Sequence, residues 1–514
     1  MNASRDSQCT SFGGLTLQSL VDELSRFGAR LVGASSVRVS DVQQDSRRIK
    51  PGDLFVARTG GHVDGRAFVE SAVKNGAAAI LANEGSDAAL FGSVPVIYVS
   101  DPRRALAFAA EAVQGYPSSQ LPLIGVTGTN GKTTTVALVE RALAAVGARP
   151  ARLGTTGFAF GGVDDESNLT TPEADEVSRL IGGVLRNGGT HFIMEASSHA
   201  LDQGRVDALH YEVAAFTNLT QDHLDHHGSM QQYEAAKRRL FVDLAPQRAV
   251  INVDNETGVR FAAAVQAGRV LTVGRQSTCD VHPEAITLDA QGIRGKLSVL
   301  GRNLALQTRF IGEHNLENLL LAVGILAALD VDLVVAMGGL VDFGVPGRLE
   351  RCEGLEDDII VLVDYAHTPD ALERALQAVK KLAQAQITCI FGCGGDRDPT
   401  KRPKMGSAVG RWANNCIVTN DNPRTEEPEV IANAILPGLR EANARYRVIL
   451  DRASAIEQGI LDAAPGDVVL IAGKGHEPYQ IIGTVKRPFD DREQARRVLA
   501  ERRVRRGRTE GHGA

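Results

Sequence analysis

The sequence predicts an α/β protein of three domains. A central domain built on a mostly parallel sheet with a phosphate loop lies between a small α/β domain and a C-terminal Rossmann-like α/β domain. Three observations predict this. A glycine-rich loop ending in lysine and threonine closes an apolar run, short apolar strands alternate with helix-length segments on both sides of it, and 514 residues are too many for one core.

The loop comes first. Residues 125–135 read Gly-Val-Thr-Gly-Thr-Asn-Gly-Lys-Thr-Thr-Thr after the apolar run Leu121–Ile124. Glycines let backbone N–H groups close on phosphate oxygens, Lys132 reaches terminal phosphates, and the Thr133 hydroxyl suits a magnesium ion at the start of a helix. Five residues separate Gly125 from Gly131, one more than in the general phosphate loop, with Gly128 between them. Val136, Leu138, Val139, Leu143 and Val146 recur at helical intervals behind it. A glycine-rich turn that binds nothing is the competing reading, and the Gly-Lys-Thr-Thr ending argues for an ATP-type ligand instead.

The flanking elements follow in order. Residues 1–117 combine a helical stretch, Leu17–Phe27, with strands at 53–57, 79–82 and 94–99. Residues 118–346 continue from the loop with strands at Phe192–Glu195, Val213–Phe216 and Ala249–Val253, an antiparallel excursion over 268–311, and a helix, turn and helix over 319–341. Residues 347–514 carry strands at Ile359–Asp364, Ile387–Phe391, Asn415–Thr419 and Asp467–Ala472, with helices between.

Composition narrows the class. A net charge of −6, from 56 basic and 62 acidic residues, gives no global sign of a nucleic-acid or membrane partner. Asp330 and Asp332 interrupt the most membrane-like stretch, and the polar N-terminus lacks an apolar signal core. Six scattered cysteines form no C-x-x-C pair, which fits a reducing cytoplasm and no zinc site. The arginines from Arg492 to Arg508 read as a solvated helix and frayed tail in preference to a binding patch.

Polar groups gather where the central strands stop. Glu195 ends one apolar run, and Thr217-Asn-Leu-Thr-Gln-Asp-His223 follows another, positions suited to a metal–nucleotide complex. Glu195 reads as a metal ligand in preference to a surface carboxylate. His223 alone is as well explained by a rim histidine, and Lys237, judged by propensity, is a solvated helix lysine.

Taken together, G-x-x-G-T-N-G-K-T (125–133), Thr-Asn-Leu-Thr-Gln-Asp-His-Leu-Asp (217–225), Tyr-Glu-Ala-Ala-Lys (233–237), Glu-His-Asn-Leu-Glu-Asn (313–318) and Asp-Tyr-Ala-His-Thr-Pro (364–369) resemble the Mur ligases. These are ATP-dependent amide-forming enzymes of peptidoglycan precursor synthesis, and the resemblance spans nearly the whole chain. It implies that Gly128, Thr129, Asn130, Gly131, Lys132, Thr133 and Thr134 cradle ATP, with Asn315 on the adenine and Arg348 and Asp364 reaching the nucleotide. It implies magnesium held by Thr133, Glu195, His223 and a carbamylated Lys237, with Lys132, Lys237 and His223 serving catalysis. This inverts the propensity reading of Lys237.

The outer domains carry specificity under the same resemblance. Gln44, Ser46, Gly61, His62 and Val63 would hold the UDP part of a UDP-muramoyl dipeptide, making the first domain the UDP-binding one. Thr170, Thr171, Ser197, Gln203 and Arg205 would contact its dipeptide; Leu169 stands where some relatives place Asn and receives no role. Asp421-Asn-Pro-Arg424 matches the pattern associated with meso-diaminopimelate, whose distal carboxylate a guanidinium can grip with two parallel hydrogen bonds. Arg424 would grip it, Arg397 would assist, and Asp421, Asn422, Pro423, Gly473 and Glu477 would complete the pocket. The implied protein is a cytoplasmic monomer with small-molecule substrates only. L-lysine addition, a folylpolyglutamate synthase-like ligase and a non-catalytic nucleotide-binding scaffold are the competing readings.

Overall fold

Strands appear where the sequence places apolar runs, and their alternation shows how each sheet is covered. The computed structural model describes residues 14–58, 64–86, 91–165, 169–289, 291–354, 356–383 and 385–510, with side chains to 506. Its contacts divide the chain into two compact units, which the chain links several times. One comprises Met1–Thr127, Ala148–Ala214 and Ala236–Ala249; the other comprises Gly128–Gly147, Ala215–Ala235 and Val250–Ala514.

The first unit opens with a five-stranded sheet in the spatial order Arg30–Val32, Val96–Val99, Ala79–Asn83, Leu54–Ala57 and Val42–Gln43. The first pair is antiparallel and the rest are parallel. Period-two alternation splits its side chains between two cores. Leu54, Val56, Leu81, Ile97 and Val99 pack on one face with the helices Leu17–Glu23 and Pro102–Val113. Phe55, Ala57, Ile80, Ala82 and Tyr98 pack on the other, with Val69 and Ala72 of the helix Val69–Lys74. The first helix stops at Glu23, short of the predicted Phe27, and a 3-10 turn over Ser25–Phe27 ends at left-handed Gly28.

The same unit holds Pro150–Gly154, His191–Glu195 and Leu123–Thr127 as neighbouring parallel strands. Gly157–Phe160 and Val163–Asp165 extend them antiparallel. Leu123–Thr127 is buried throughout, and the backbone N–H of Ala196 donates to Val126 O at 2.9 Å.

In the second unit the loop leads into the helix Lys132–Ala145. The antiparallel excursion predicted over 268–311 holds for the meander Val281–Asp289, Gly292–Val299 and Arg302–Thr308, whereas its first strand, Val270–Val273, pairs parallel with Val281–Asp289. The predicted helix–turn–helix is Glu313–Ala328 and Leu333–Gly338, the first started by Gly312 and the second capped by Asp332. Among the described residues no helix is long and apolar enough to cross a membrane.

The C-terminal six-stranded sheet runs Glu350–Arg351, Ile360–Asp364, Val468–Ala472, Ile387–Phe391, Asn415–Val418 and Tyr446–Val448. All but its first pairing is parallel. Helices cover both faces, giving one core around Leu362, Phe391 and Leu470 and another around Val361, Ile390 and Ile471. The helix Asp491–Glu510 carries the basic stretch, and its arginines are matched by carboxylates. Arg502 and Arg506 pair with Asp358, Arg503 with Asp357, and Arg496 with Glu350. That supports the structural reading over a binding patch.

Candidate active site

The phosphate loop is held open by its neighbours. Gly128 has φ +147°, and a Cβ there would lie 1.8 Å from Thr217 Oγ1. Gly131 has φ +87°, and a Cβ would lie 2.2 Å from Asn318 Oδ1. Asn218 clasps the loop from the strand-end segment. Its carbonyl accepts from Thr129 N at 2.8 Å, and its side chain exchanges hydrogen bonds with the Asn130 backbone at 3.0 and 3.2 Å. The Thr129 hydroxyl donates to Thr220 O at 3.1 Å and lies 3.2 Å from the Tyr233 hydroxyl. These bonds give the Thr-Asn-Leu-Thr run a task the sequence did not reveal.

Lys132 curls over the loop, its Nζ donating to Gly128 O at 2.9 Å and Thr129 O at 2.8 Å. Thr133 is buried, and its hydroxyl accepts from Arg348 Nη2 at 3.0 Å. The Arg348 guanidinium also lies over the Tyr365 ring, 4.6 Å from its centre, while its buried Nε has no hydrogen-bond partner among the described residues. Asp364 accepts from Leu349 N at 2.7 Å and Ala366 N at 2.8 Å. Both carboxylate oxygens are engaged, so Asp364 fixes the Arg348 turn. Burial pushes its carboxyl up, and the Arg348 charge opposes that.

Beside the loop, a pocket of about 70 Å³ is lined by Asn130, Gly131, Thr134, Asn315, Arg348 and Asp364, with His314, Asn318, His367 and Arg374 among their neighbours. Asn315 is fixed by its own bond to Ile311 O at 2.9 Å and by Asn318, whose Nδ2 donates to Asn315 Oδ1 at 3.2 Å. Asp370 accepts from Asn130 Nδ2 at 2.9 Å and pairs with Arg374 at 3.2 Å. Asn218, Asn318, Asp370 and His314 were not assigned roles from sequence, although Asn218, Asn318 and His314 lie inside quoted motifs.

His223 caps the short helix Leu224–His227 in left-handed conformation, φ +52°, with Asp222 3.5 Å from its ring. Burial works against ionisation of Asp222, but the charges of His223, His367 and Lys401 hold its carboxyl below the ordinary range.

The first unit assembles a second polar network around Glu195, which is buried at the end of its strand. Thr155 donates to it from N at 2.8 Å and from Oγ1 at 3.2 Å, and a Cβ on Gly154 would lie 2.3 Å from Oε1. Thr170 Oγ1 lies 3.2 Å from Thr155 Oγ1. Thr171 Oγ1 donates to Glu195 O at 2.7 Å and accepts from Ser197 N at 3.0 Å. Arg205 donates to Thr171 O at 2.8 Å and to Gln203 Oε1 at 2.7 and 3.1 Å, and pairs with Glu173 at 3.2 Å. The residues assigned to the dipeptide therefore converge; Thr155 and Gly154 are additions.

Gln44 donates to Asp175 Oδ1 at 3.2 Å, and its buried Oε1 has no hydrogen-bond partner among the described residues, an acceptor suited to a polar ligand group. Ser46 is buried in the turn Ser46–Arg48. Gly61, His62 and Val63 lie outside the described residues.

Lys237 corrects its propensity reading outright. It is 1% exposed, in a buried stripe with Tyr233, Ala236, Leu240 and Phe241 on the helix Met230–Val242. Spacings of three and four residues put it on the inner face. Of the four assigned metal ligands, Glu195 and Lys237 belong to the first unit and Thr133 and His223 to the second.

In the third block, Arg424 sits in left-handed conformation, φ +55°, with Nη1 donating to Gly395 O at 2.7 Å. Gly395 N donates to Asn422 O at 2.9 Å, and Arg397 Nη1 to Asp396 O at 3.1 Å. Gly473, φ +120°, leaves no room for a Cβ, which would be 2.4 Å from Asp421 Oδ2. Asn422 donates to Glu477 Oε2 at 3.0 Å, and burial raises the Glu477 carboxyl. The hairpin Tyr479–Ile482 and Val485–Pro488, unforeseen from sequence, bonds to the same segment through Arg424 N and Ile481 O at 3.1 Å.

A Gly-Lys-Thr loop opening a helix, clasped by polar side chains beside a pocket, defines a nucleotide-binding α/β protein of the phosphate-loop class. Comparison with known proteins narrows the class. Residues 126–326 match the Mur ligase middle domain, 347–475 the Mur ligase glutamate ligase domain, and 38–114 the Mur ligase family catalytic domain. The UDP-N-acetylmuramoyl-L-alanyl-D-glutamate--2,6-diaminopimelate ligase of Gloeobacter violaceus is 45% identical over 94% of this chain and 98% of that protein. That of Geobacillus kaustophilus is 42% identical over 90% and 95%. A solved structure bearing the same enzyme name is 32% identical, with TM-score 0.67 over 95% of this chain and 99% of that one. A folylpolyglutamate synthase of Mycobacterium tuberculosis, 18% identical with TM-score 0.59, covers 72% of this chain and shares the fold alone. The chain belongs to the Mur ligase family, ATP-dependent enzymes that form amide bonds.

Proposed function

We propose that this protein joins meso-2,6-diaminopimelate to the D-glutamate of UDP-N-acetylmuramoyl-L-alanyl-D-glutamate, with ATP, in peptidoglycan precursor synthesis. The observation that carries this reading is the Asp421–Arg424 segment. Its arginine is held by Gly395, and its asparagine is bonded to a partly buried carboxylate, Glu477. A fixed guanidinium near a partly buried carboxylate suits a substrate that carries both a spare carboxylate and an ammonium. The division into domains at 1–117, 118–346 and 347–514 belongs to the same reading.

The chemistry follows from the side chains. The D-glutamate carboxylate, oriented by Thr170, Thr171, Ser197, Gln203 and Arg205, attacks the γ-phosphate of ATP. Lys132 and the loop amides neutralise the phosphoryl charge in flight. ADP leaves, and the amine of diaminopimelate displaces phosphate from the acyl phosphate to give the amide. Gln44 and Ser46, with Gly61, His62 and Val63, are assigned to the UDP part.

The buried Thr133 hydroxyl and the buried Glu195 carboxylate are oxygen donors of the kind magnesium prefers. Thr133, Glu195, His223 and Lys237 would hold it, and bound magnesium would supply charge neutralisation at the phosphates. A carbamate on Lys237 would supply the oxygen anion that a hard cation prefers. Asn315 is assigned to the adenine. We also read the protein as a cytoplasmic monomer.

Arg424→Ala tests the assignment of specificity. Diaminopimelate addition should be lost while ATP binding stays near normal, and unchanged turnover would contradict the assignment.

A further inference from the structure

One buried cation in the third block has no part in the roles above. Lys474 follows the strand Val468–Ala472 and is fully buried. Its Nζ donates to Asn422 Oδ1 at 3.1 Å and to Glu477 Oε2 at 3.1 Å. Oε2 also accepts from Asn422 Nδ2 at 3.0 Å, and Asn422 Oδ1 also accepts from Ile481 N at 2.9 Å. Lysine, amide and carboxylate thus close a ring of hydrogen bonds. It ties the segment 421–424 to 473–477 and to the hairpin, and the Tyr479 ring lies 5.5 Å from Nζ.

An ammonium withdrawn from water is costly unless it is paired and hydrogen-bonded, and this one is both. Here Oε2 takes both donors. The other ionisable groups facing Glu477 are Asp421, Arg452 and Tyr365. Burial and Asp421 disfavour its charged form, and Lys474 favours it.

We propose that Lys474 is a positioning residue for amino-acid recognition: it holds the Glu477 carboxylate in one orientation through Oε2 and leaves Oε1 for an ammonium group of the incoming amino acid. This rests on the assignment of the third block to the amino acid.

The test is phosphate release at saturating ATP and UDP-muramoyl dipeptide with meso-diaminopimelate varied. For Lys474→Met, KM for the amino acid should rise by about tenfold or more, while KM for ATP stays within about twofold. The acid limb of kcat/KM for the amino acid should move up by about one pH unit, because Glu477 loses the cation that favours its charge. Lys474→Arg, which keeps the charge, should leave that limb near its place. An unchanged KM and an unchanged limb in Lys474→Met would overturn the proposal. If Lys474→Met alone does not fold, Glu477→Gln and the double variant carry the test. The double variant should match Glu477→Gln, and losses that multiply would overturn the coupling. Wild-type release that ignores meso-diaminopimelate would overturn the functional reading together with this inference. Normal wild-type release with an unaltered variant would overturn the inference alone.

Discussion

Arg348 Nη2 donates to the hydroxyl of Thr133 at 3.0 Å, so a side chain from the start of the third block touches the first turn of the phosphate-loop helix. The same guanidinium stacks on Tyr365, and its turn is fixed by Asp364. Arg348→Ala is therefore expected to raise KM for ATP by about ten- to a hundredfold, the worth of one charge-assisted contact. Arg348→Lys should recover little, since an ammonium cannot stack and donate together. Steady-state kinetics with ATP varied checks this; a lysine variant equal to wild type would contradict it.

Gly131→Ala should impair nucleotide binding by a different route. Its Cβ would fall 2.2 Å from Asn318 Oδ1 at φ +87°. Either the loop or Asn318 must move, at a cost of about 1–3 kcal/mol. Calorimetric titration with ADP is expected to show binding weakened by at least about tenfold, and Asn318→Gly in the same chain should restore part of it.

The loop and its glycines were legible because a phosphate cradle needs unusual residues at fixed spacing. The sheets were legible too, since buried parallel strands are nearly continuous apolar runs, as in Val468–Ala472. Tyr446–Val448 was not, because an edge strand of three residues with an arginine at its centre carries no such signal. Lys237 misled for a related reason: propensity sees an ordinary helical lysine, and only the stripe Tyr233, Ala236, Leu240 and Phe241 shows that its face is buried. Asn218 and Asp370 work through contacts 88 and 240 residues away in sequence, to Asn130, which no local pattern encodes.

His314 gives a pH dependence with a definite sign. Burial, aided by the charges of Arg374 and Arg348, pushes its imidazole down to about 4 from 6.5. Between those values the unfolded chain binds a proton that the folded chain does not, so this contribution to stability is present above pH 6.5 and is lost as pH falls toward 4. The full span corresponds to roughly 3 kcal/mol. In denaturant titrations from pH 7 to 4, His314→Gln should lose less stability than wild type; parallel losses would contradict the assignment.

The Arg452–Asp491 pair closes the C-terminal core. Both side chains are 0% exposed, with Nε and Nη2 each 2.7 Å from a carboxylate oxygen. Asp491→Asn leaves the guanidinium without its counter-charge and is expected to destabilise by about 3–5 kcal/mol. Thermal melts check this, and a variant melting with wild type would show that Asn420 and Ala472, which also accept from Arg452, suffice.

The most direct measurement of the central claim is phosphate release with ATP and UDP-N-acetylmuramoyl-L-alanyl-D-glutamate, comparing meso-diaminopimelate, L-lysine and no amino acid. Release stimulated by meso-diaminopimelate and not by L-lysine is the expected result. Stimulation by L-lysine alone would contradict the reading of Arg424 as the grip on a distal carboxylate.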